Sequence, residues 1–234
     1  MKSRALPACL PVSLIGALLF AAPAAAKERG DLIRTANPSS VIARELEFAK
    51  AAQDKGQWTA FREFAAEDAI MFVPKAVLAQ DWLKGRPNPP VAVRWQPAEV
   101  WSSCDGSLVV SQGPWQLPDS VGYFTTIWQR QGDGSYKWVL DHGNPLEEPR
   151  AVPEMIPAHV AECPASGRPR RLGSVAGGGG FDVANPEGRS GDGTVMWAVT
   201  TGADGSKNLS IEWQQDGAMQ PLLTDRVVAP AAGR

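Results

Sequence analysis

The adjacent residues Asp141 and His142 are the pair in this sequence best suited to acid–base chemistry. A carboxylate and an imidazole can exchange a proton with a substrate when both reach it. The pair ends an apolar stretch that is typical of a β-strand, and successive side chains of a strand point to opposite faces. The two side chains can therefore share one pocket only if the strand ends or bulges there. A structural, hydrogen-bonded histidine at a strand end is the alternative role for His142.

Other catalytic signatures are absent from the sequence. There is no HExxH, no GxSxG and no P-loop, and His142 and His159 are the only histidines. We therefore predict no metal and no cofactor. The formal net charge of −2 gives no basic surplus for neutralising phosphates, so a nucleic-acid partner is not expected either.

Tryptophan is abundant, with 9 residues against 2 tyrosines. An indole combines a large apolar area with one hydrogen-bond donor, which suits the wall of a pocket for an apolar ligand. Packing in the protein core is the alternative explanation. The aromatic residues taken as candidates for a ligand pocket are Phe72, Trp82, Trp115, Trp128 and Trp138.

The N-terminus predicts export. Lys2 and Arg4 precede a short apolar run, and Ala24 and Ala26 fit the A-x-A cleavage rule, so residues 1–26 are predicted to be a signal peptide cleaved after Ala26. The mature protein would be periplasmic or secreted, without a stable membrane anchor. Its two cysteines, Cys104 and Cys163, are candidates for a disulfide in an oxidising compartment, and two free buried thiols are the alternative.

The mature chain changes its periodicity near Gly85. Before it, apolar residues at helical spacing predict three helices, with a short strand at 71–73 between the second and the third, and after it alternation predicts strands separated by Asp-Gly turns. A Pro/Gly-rich connector and a C-terminal β-meander follow, with a disordered tail at the end. The predicted helices are 41–55, 57–68 and 75–84; the strands are 91–103, 107–116, 121–131 and 135–142; the connector is 144–192, the meander 193–228 and the tail 229–234.

A two-residue turn at Asp133-Gly134 would set the register of the hairpin around it. Residue 138 would then lie opposite residue 129, and residue 140 opposite residue 127. One face of the hairpin is predicted to carry Tyr123, Thr125, Ile127, Trp138, Leu140 and His142, and the other Phe124, Thr126, Trp128, Val139 and Asp141. Both faces are largely apolar, so both are expected to be covered.

The order of these elements resembles the nuclear-transport-factor-2-like (NTF2-like) superfamily. The resemblance covers residues 38–143 and is carried by "WTAFREFAAEDAIMFVP" (58–74) and "GYFTTIWQRQGDGSYKWVLDHG" (122–143). It is nearest to the exported bacterial SnoaL-like and DUF4440-type branch. It implies an α+β fold, in which N-terminal helices and a bent antiparallel sheet form a cone with an apolar pocket. Residues 193–228 lie outside the resemblance, and their strands could extend the same sheet or form a small meander packed on it.

The superfamily includes isomerases, cyclases, dehydratases and ligand binders, so the fold does not assign a function. Its isomerases use an Asp base with Tyr and Asp oxyanion donors, which makes Tyr123 a further catalytic candidate. Because no complete catalytic constellation matches, we predict a non-enzymatic protein that binds a small apolar or amphipathic molecule. The alternatives are a metal-independent acid–base isomerase or lyase, and a scaffold that forms a homodimer through the open sheet face.

Overall fold

The computed structural model describes residues 36–73, 75–164, 183, 185–204 and 206–227. The predicted signal peptide, the C-terminal tail and part of the connector lie outside these residues. The described chain has an α+β fold, and no helix in it is long and apolar enough to cross a membrane. The elements are α1 (Pro38–Lys55), α2 (Gln57–Phe64), β1 (Ala65–Phe72), β2 (Ala76–Leu78), α3 (Ala79–Leu83), β3 (Arg94–Trp95), β4 (Glu99–Ser102), β5 (Leu108–Leu117), β6 (Ser120–Arg130), β7 (Tyr136–Leu146), β8 (Ala158–Val160), β9 (Glu187–Arg189), β10 (Val195–Thr201), β11 (Lys207–Gln215) and β12 (Ala218–Val227).

Gly56 separates the first two helices. Its φ of +97° is accessible to glycine, and its N–H bonds to the carbonyl of Ala52 to close α1. The second helix is shorter than predicted: it ends at Phe64, and the next residues form β1. Pairing with β7 in the sheet outweighs the helical propensity of this alanine- and acid-rich stretch.

The first sheet, sheet 1, has the strand order β2-β1-β7-β6-β5-β4-β8, and β3 also pairs with β5. The predicted antiparallel meander is present in β4 to β7, but the whole sheet is mixed, because β1 runs parallel to β7 and β8 runs parallel to β4. The predicted strand 91–103 is divided into β3 and β4. Pro97 lies between them and has no N–H to donate to a neighbouring strand.

The second sheet, sheet 2, has the order β12-β11-β10-β9, with antiparallel pairing throughout. Two short strands, β8 and β9, lie in the stretch predicted as an extended connector. Beside β8, a disulfide joins Cys104 and Cys163 across 59 positions of sequence, with their Cα atoms 5.2 Å apart. In the chain-entropy model, closing a loop of this length stabilises the fold by about 4 kcal/mol.

A bulge at Val139 changes the predicted hairpin register. Ile127 pairs with Leu140, but Trp128 pairs with Trp138, so Val139 is an additional residue on β7. The turn is also longer than two residues, since the N–H of Gln131 bonds to the carbonyl of Ser135. The prediction that Trp138 shares a face with Leu140 is therefore wrong.

Two apolar cores enclose sheet 1. One core, between the helices and the sheet, contains Phe48, Phe61, Phe64, Trp128 and Trp138. The other core, between the two sheets, contains Trp101, Leu108, Val110, Ile127 and Leu140 from sheet 1 and Val195, Trp197, Val199, Leu209 and Ile211 from sheet 2. Sheet 1 is thus the middle of three layers, and its strands present apolar side chains on both faces.

Two turns of similar sequence join the sheets. In Ser103-Cys104-Asp105-Gly106-Ser107 the Asp105 carboxylate accepts hydrogen bonds from Ser103 Oγ and from the Ser107 N–H. In Ser190-Gly191-Asp192-Gly193-Thr194 the Asp192 carboxylate accepts the equivalent bonds. The turns also bond to each other reciprocally: the N–H of Cys104 donates to Thr194 Oγ1 at 3.0 Å and that of Gly191 donates to Ser107 Oγ at 2.8 Å. This pairing fixes one end of sheet 2 against sheet 1.

Candidate functional site

An apolar pocket with a volume of about 160 Å³ lies between α2 and sheet 1. Its size is close to that of an engineered apolar cavity of about 150 Å³ that binds benzene. Residues from α2, the loop before β3, and the strands β3, β5, β6 and β7 form its wall. They are Gln57, Phe61, Val93, Trp95, Trp115, Leu117, Phe124, Asp141, His142 and Gly143.

Asp141 provides the titratable group at this wall. Its neighbour on β6 is Thr126, whose hydroxyl donates a hydrogen bond of 2.9 Å to Asp141 Oδ2. Burial raises the pKa of Asp141 to about 7, and the negative charge of Glu45 adds to the shift, while the Thr126 bond opposes it. Near neutral pH the side chain can therefore act as a hydrogen-bond donor in its acid form or as an acceptor in its carboxylate form.

Glu45 lies behind the aromatic wall and is inaccessible to solvent. Its carboxyl group accepts hydrogen bonds from Trp95 Nε1 at 2.7 Å, Ser111 Oγ at 2.6 Å and Trp128 Nε1 at 2.8 Å. Burial raises the pKa of Glu45, although these three bonds oppose the shift. Glu45 therefore orients the Trp95 indole and satisfies its only donor.

Trp115 is held on the opposite side by the backbone. Its Nε1 donates to the carbonyl of Tyr123 at 2.9 Å, and its ring lies against Gly122 and Gly143. A Cβ atom at Gly122 would overlap the indole, so a glycine is needed at that position. Both indole donors of the pocket are thus used within the protein, and Trp95 and Trp115 offer a ligand apolar surface and π-electrons.

His142 and Asp141 do not act together in this structure. The His142 ring lies on the other face of β7, 5.7 Å from the Phe72 ring, where its pKa is lowered to about 4 by burial, against an opposing effect of Asp225. Both ring nitrogens are buried without a hydrogen-bond partner among the described residues. A structural, hydrogen-bonded role for His142 is therefore not what the structure shows, and although the residue borders the pocket, its ring is directed toward Phe72.

Tyr123 is also turned away from the pocket. Its hydroxyl donates to Asp225 Oδ1 of sheet 2 at 3.0 Å and accepts from Asn144 Nδ2 at 2.8 Å. Burial raises the pKa of Tyr123, and the charge of Asp225 raises it further. With Thr125, which donates to Asp225 Oδ2 at 2.8 Å, this tyrosine forms a polar connection between the sheets.

Of the aromatic residues proposed for the pocket, Trp115 is the one that lines it. Trp128 and Trp138 are completely buried in the helix-side core. Phe72 packs at the inter-sheet core, and Trp82 of α3 packs edge-on against Trp58 with Arg86 over its ring. The remaining aromatic residues of the wall are Phe61, Trp95 and Phe124. Their apolar character was visible in the sequence, but their convergence depends on contacts between distant elements.

Among the described residues, no group of three or more His, Cys, Asp or Glu side chains is placed to hold a metal ion. His159 instead forms a contact of 3.0 Å with Glu99 at a half-exposed position near β8.

Comparison with solved structures finds matches of low sequence identity that span about half of this chain. One was provisionally assigned as a ketosteroid isomerase and comes from Parabacteroides distasonis; it is 20% identical, with a TM-score of 0.37, over 49% of this chain and 96% of that one. A protein of unknown function from the DUF3225 family of Pectobacterium atrosepticum is 12% identical, with a TM-score of 0.39, over 47% and 91% of the two chains. An NTF2-like protein of unknown function from Burkholderia xenovorans is 16% identical, with a TM-score of 0.33, over 50% and 91%.

The NTF2-like resemblance of the sequence stays a prediction. At such identities and TM-scores the matches carry no information about activity or ligand. No protein-family model matches the chain, and no curated protein matches it either. The narrower SnoaL-like or DUF4440-type assignment stays a prediction.

Proposed function

We propose that this protein binds a small apolar or amphipathic molecule at the open end of an NTF2-like cone, in the pocket between α2 and sheet 1. The observation that carries the proposal is the composition of the wall, where the aromatic rings of Phe61, Trp95, Trp115 and Phe124 line the same pocket as the carboxyl group of Asp141. Pockets of this kind bind ligands mainly by apolar burial and orient them with a few polar groups.

The geometry favours binding over acid–base catalysis. Proton transfer through a general acid and a general base needs two titratable side chains that converge on one substrate atom. Among the described lining residues, Asp141 is the one whose titratable group faces the pocket, because His142 and Tyr123 lie on the opposite face of the sheet. Binding requires only the apolar wall and one polar anchor, and the pocket has both.

The scaffold alternative depends on an open face of sheet 1. Residues of β10 and β11, including Val195, Trp197 and Leu209, cover this face from within the same chain. The surface on which that alternative rests is therefore occupied, and we do not adopt it.

Calorimetric titration with toluene and benzyl alcohol tests the proposal. Both are expected to bind with a dissociation constant below about 1 mM, since the pocket is large enough for one aromatic ring. Replacing Leu117 with tryptophan should fill part of the pocket and weaken binding at least about tenfold. Leu46→Trp is the matched control, because Leu46 lies on the exposed side of α1, and this variant should bind as the unchanged protein does. Equal binding by both variants, or no binding by the unchanged protein, would contradict the proposal.

We further propose that the protein is exported to the periplasm or outside the cell. The signal-peptide pattern in residues 1–26 and the disulfide between Cys104 and Cys163 support this proposal. N-terminal sequencing of the exported protein is expected to begin at Lys27, and a sequence that begins at Met1 would contradict cleavage after Ala26.

A further inference from the structure

In addition to its apolar wall, the pocket has acidic groups near it and no positively charged side chain in its described lining. None of its described lining residues is lysine or arginine, and Gln57 is neutral. Asp141 at the wall and Glu45 behind it on α1 are acids whose charges repel each other, and His142, which also borders the pocket, is neutral near pH 7 because burial lowers its pKa to about 4. A bound group with a positive charge would relieve this repulsion, whereas an anion would increase it.

The aromatic wall also favours a ligand with a positive charge. The indole donors of Trp95 and Trp115 are already bonded to Glu45 and to the backbone of Tyr123. These residues can therefore offer a ligand only their ring faces and edges. The face of an aromatic ring carries negative charge, and recognition of organic cations by several rings together is an established use of this property.

We propose that the pocket selects small organic cations, in which a protonated amine is attached to an apolar group, with Asp141 as the acceptor for the ammonium. This inference rests on the proposed ligand-binding function and specifies the chemistry of its ligand. Phe61, Trp95, Trp115 and Phe124 enclose the apolar part and contact the charge, and Asp141 Oδ1 accepts the N–H bond, because Oδ2 already accepts the bond from Thr126.

The dependence of binding on pH follows from the protonation of Asp141. Its pKa is raised to about 7 in the unliganded protein, so the carboxylate needed for an ammonium predominates at pH 8 and is scarce at pH 6. An alkylamine stays protonated throughout this range. Affinity for the amine should therefore fall about tenfold from pH 8 to pH 6. A neutral ligand that accepts a bond from protonated Asp141 would show the opposite trend.

The test compares benzylamine with benzyl alcohol, which has nearly the same size and no charge. At pH 8 the amine is expected to bind at least about tenfold more tightly than the alcohol. Asp141→Asn should reduce this preference to less than about twofold. Glu47→Gln makes the same change in net charge at an exposed position of α1 and should leave the preference intact.

The outcomes separate this inference from the function on which it rests. If benzyl alcohol binds as tightly as benzylamine, or if amine affinity rises as the pH falls, selectivity for cations is wrong while ligand binding stands. If toluene, benzyl alcohol and benzylamine all fail to bind, the proposed function itself is wrong. Because the comparison of amine with alcohol uses the unchanged protein, it decides the question even if the Asp141→Asn variant does not fold.

Discussion

Replacing Glu45 with alanine is expected to lower the free energy of unfolding by about 4 kcal/mol. The side chain is completely buried, and its removal leaves the donors of Trp95, Ser111 and Trp128 without their acceptor, beside a new cavity. An unsatisfied donor costs about 1–3 kcal/mol, so the Trp95 donor, the two lost bonds of Ser111 and Trp128 (about 1 kcal/mol each) and the cavity together account for the loss. Urea unfolding followed by far-ultraviolet circular dichroism measures the change.

Glu45→Gln separates the hydrogen-bond network from the charge. Glutamine keeps the volume and one carbonyl oxygen, and its amide can donate to Ser111 Oγ while the Ser111 hydroxyl turns to the carbonyl of Thr126, 3.5 Å away. We expect this variant to lose about 1 kcal/mol. Glu47→Ala on the same helix removes only an exposed ion pair and should cost less than about 0.5 kcal/mol. A loss in Glu45→Ala no greater than that in Glu47→Ala would show that the three bonds do not stabilise the fold.

Local sequence signals accounted for the elements whose structure depends on neighbouring residues. Gly56 ends α1 with a positive φ, and Gly106 and Gly134 have positive φ in the turns where Asp-Gly pairs were recognised. The strong alternation of β6 and β7 also placed Asp141 and His142 on opposite faces, as they are in the structure. These features follow from steric and pairing rules that act over a few residues.

Features that depend on distant residues could not be predicted. The first part of β1, residues 65–68, has a composition that favours a helix, and the parallel pairing with β7, far away in sequence, makes it a strand, whereas the apolar end of β1 was predicted as a strand. The register beyond Val139 depends on a bulge, and a shift of one residue moves a side chain to the other face. For this reason Trp138 was assigned to the wrong face and lies in the helix-side core.

At the pocket, too, one residue could be predicted from its neighbours in the sequence and another could not. Asp141 was identified because an acid next to a histidine is conspicuous in the sequence. Glu45 was not identified, because an isolated glutamate on an amphipathic helix has the pattern of a solvated surface residue. Its burial is explained only by the indole donors of Trp95 and Trp128, which reach it from two different strands.

As the pH rises, the contribution of Asp141 to the free energy of unfolding is expected to decrease and that of His142 to increase. Asp141 has a pKa of about 7 in the folded protein and an ordinary value of 3.8, so between these values the folded state retains a proton that the unfolded state has lost. Its contribution to the free energy of unfolding is complete below pH 3.8 and is lost as the pH rises through about 7. His142 has a pKa of about 4 in the folded protein and an ordinary value of 6.5. Its contribution is complete above pH 6.5 and is lost as the pH falls through about 4.

Single variants separate the two contributions, because the effects are about 4 kcal/mol for Asp141 and about 3 kcal/mol for His142 and their pH dependences largely cancel between pH 4 and 6.5 in the unchanged protein. Relative to the unchanged protein, Asp141→Asn should become progressively more stable as the pH rises from 4 to 7. His142→Leu lacks the imidazole whose protonation opposes folding at low pH. Its free energy of unfolding, relative to the unchanged protein, should therefore be highest at pH 4 and should fall as the pH rises to 6.5. Urea unfolding at intervals of half a pH unit measures both differences. If either difference stays constant across its range, the residue concerned does not titrate as its burial requires, and for Asp141 this would also remove the basis for the expected pH dependence of amine binding.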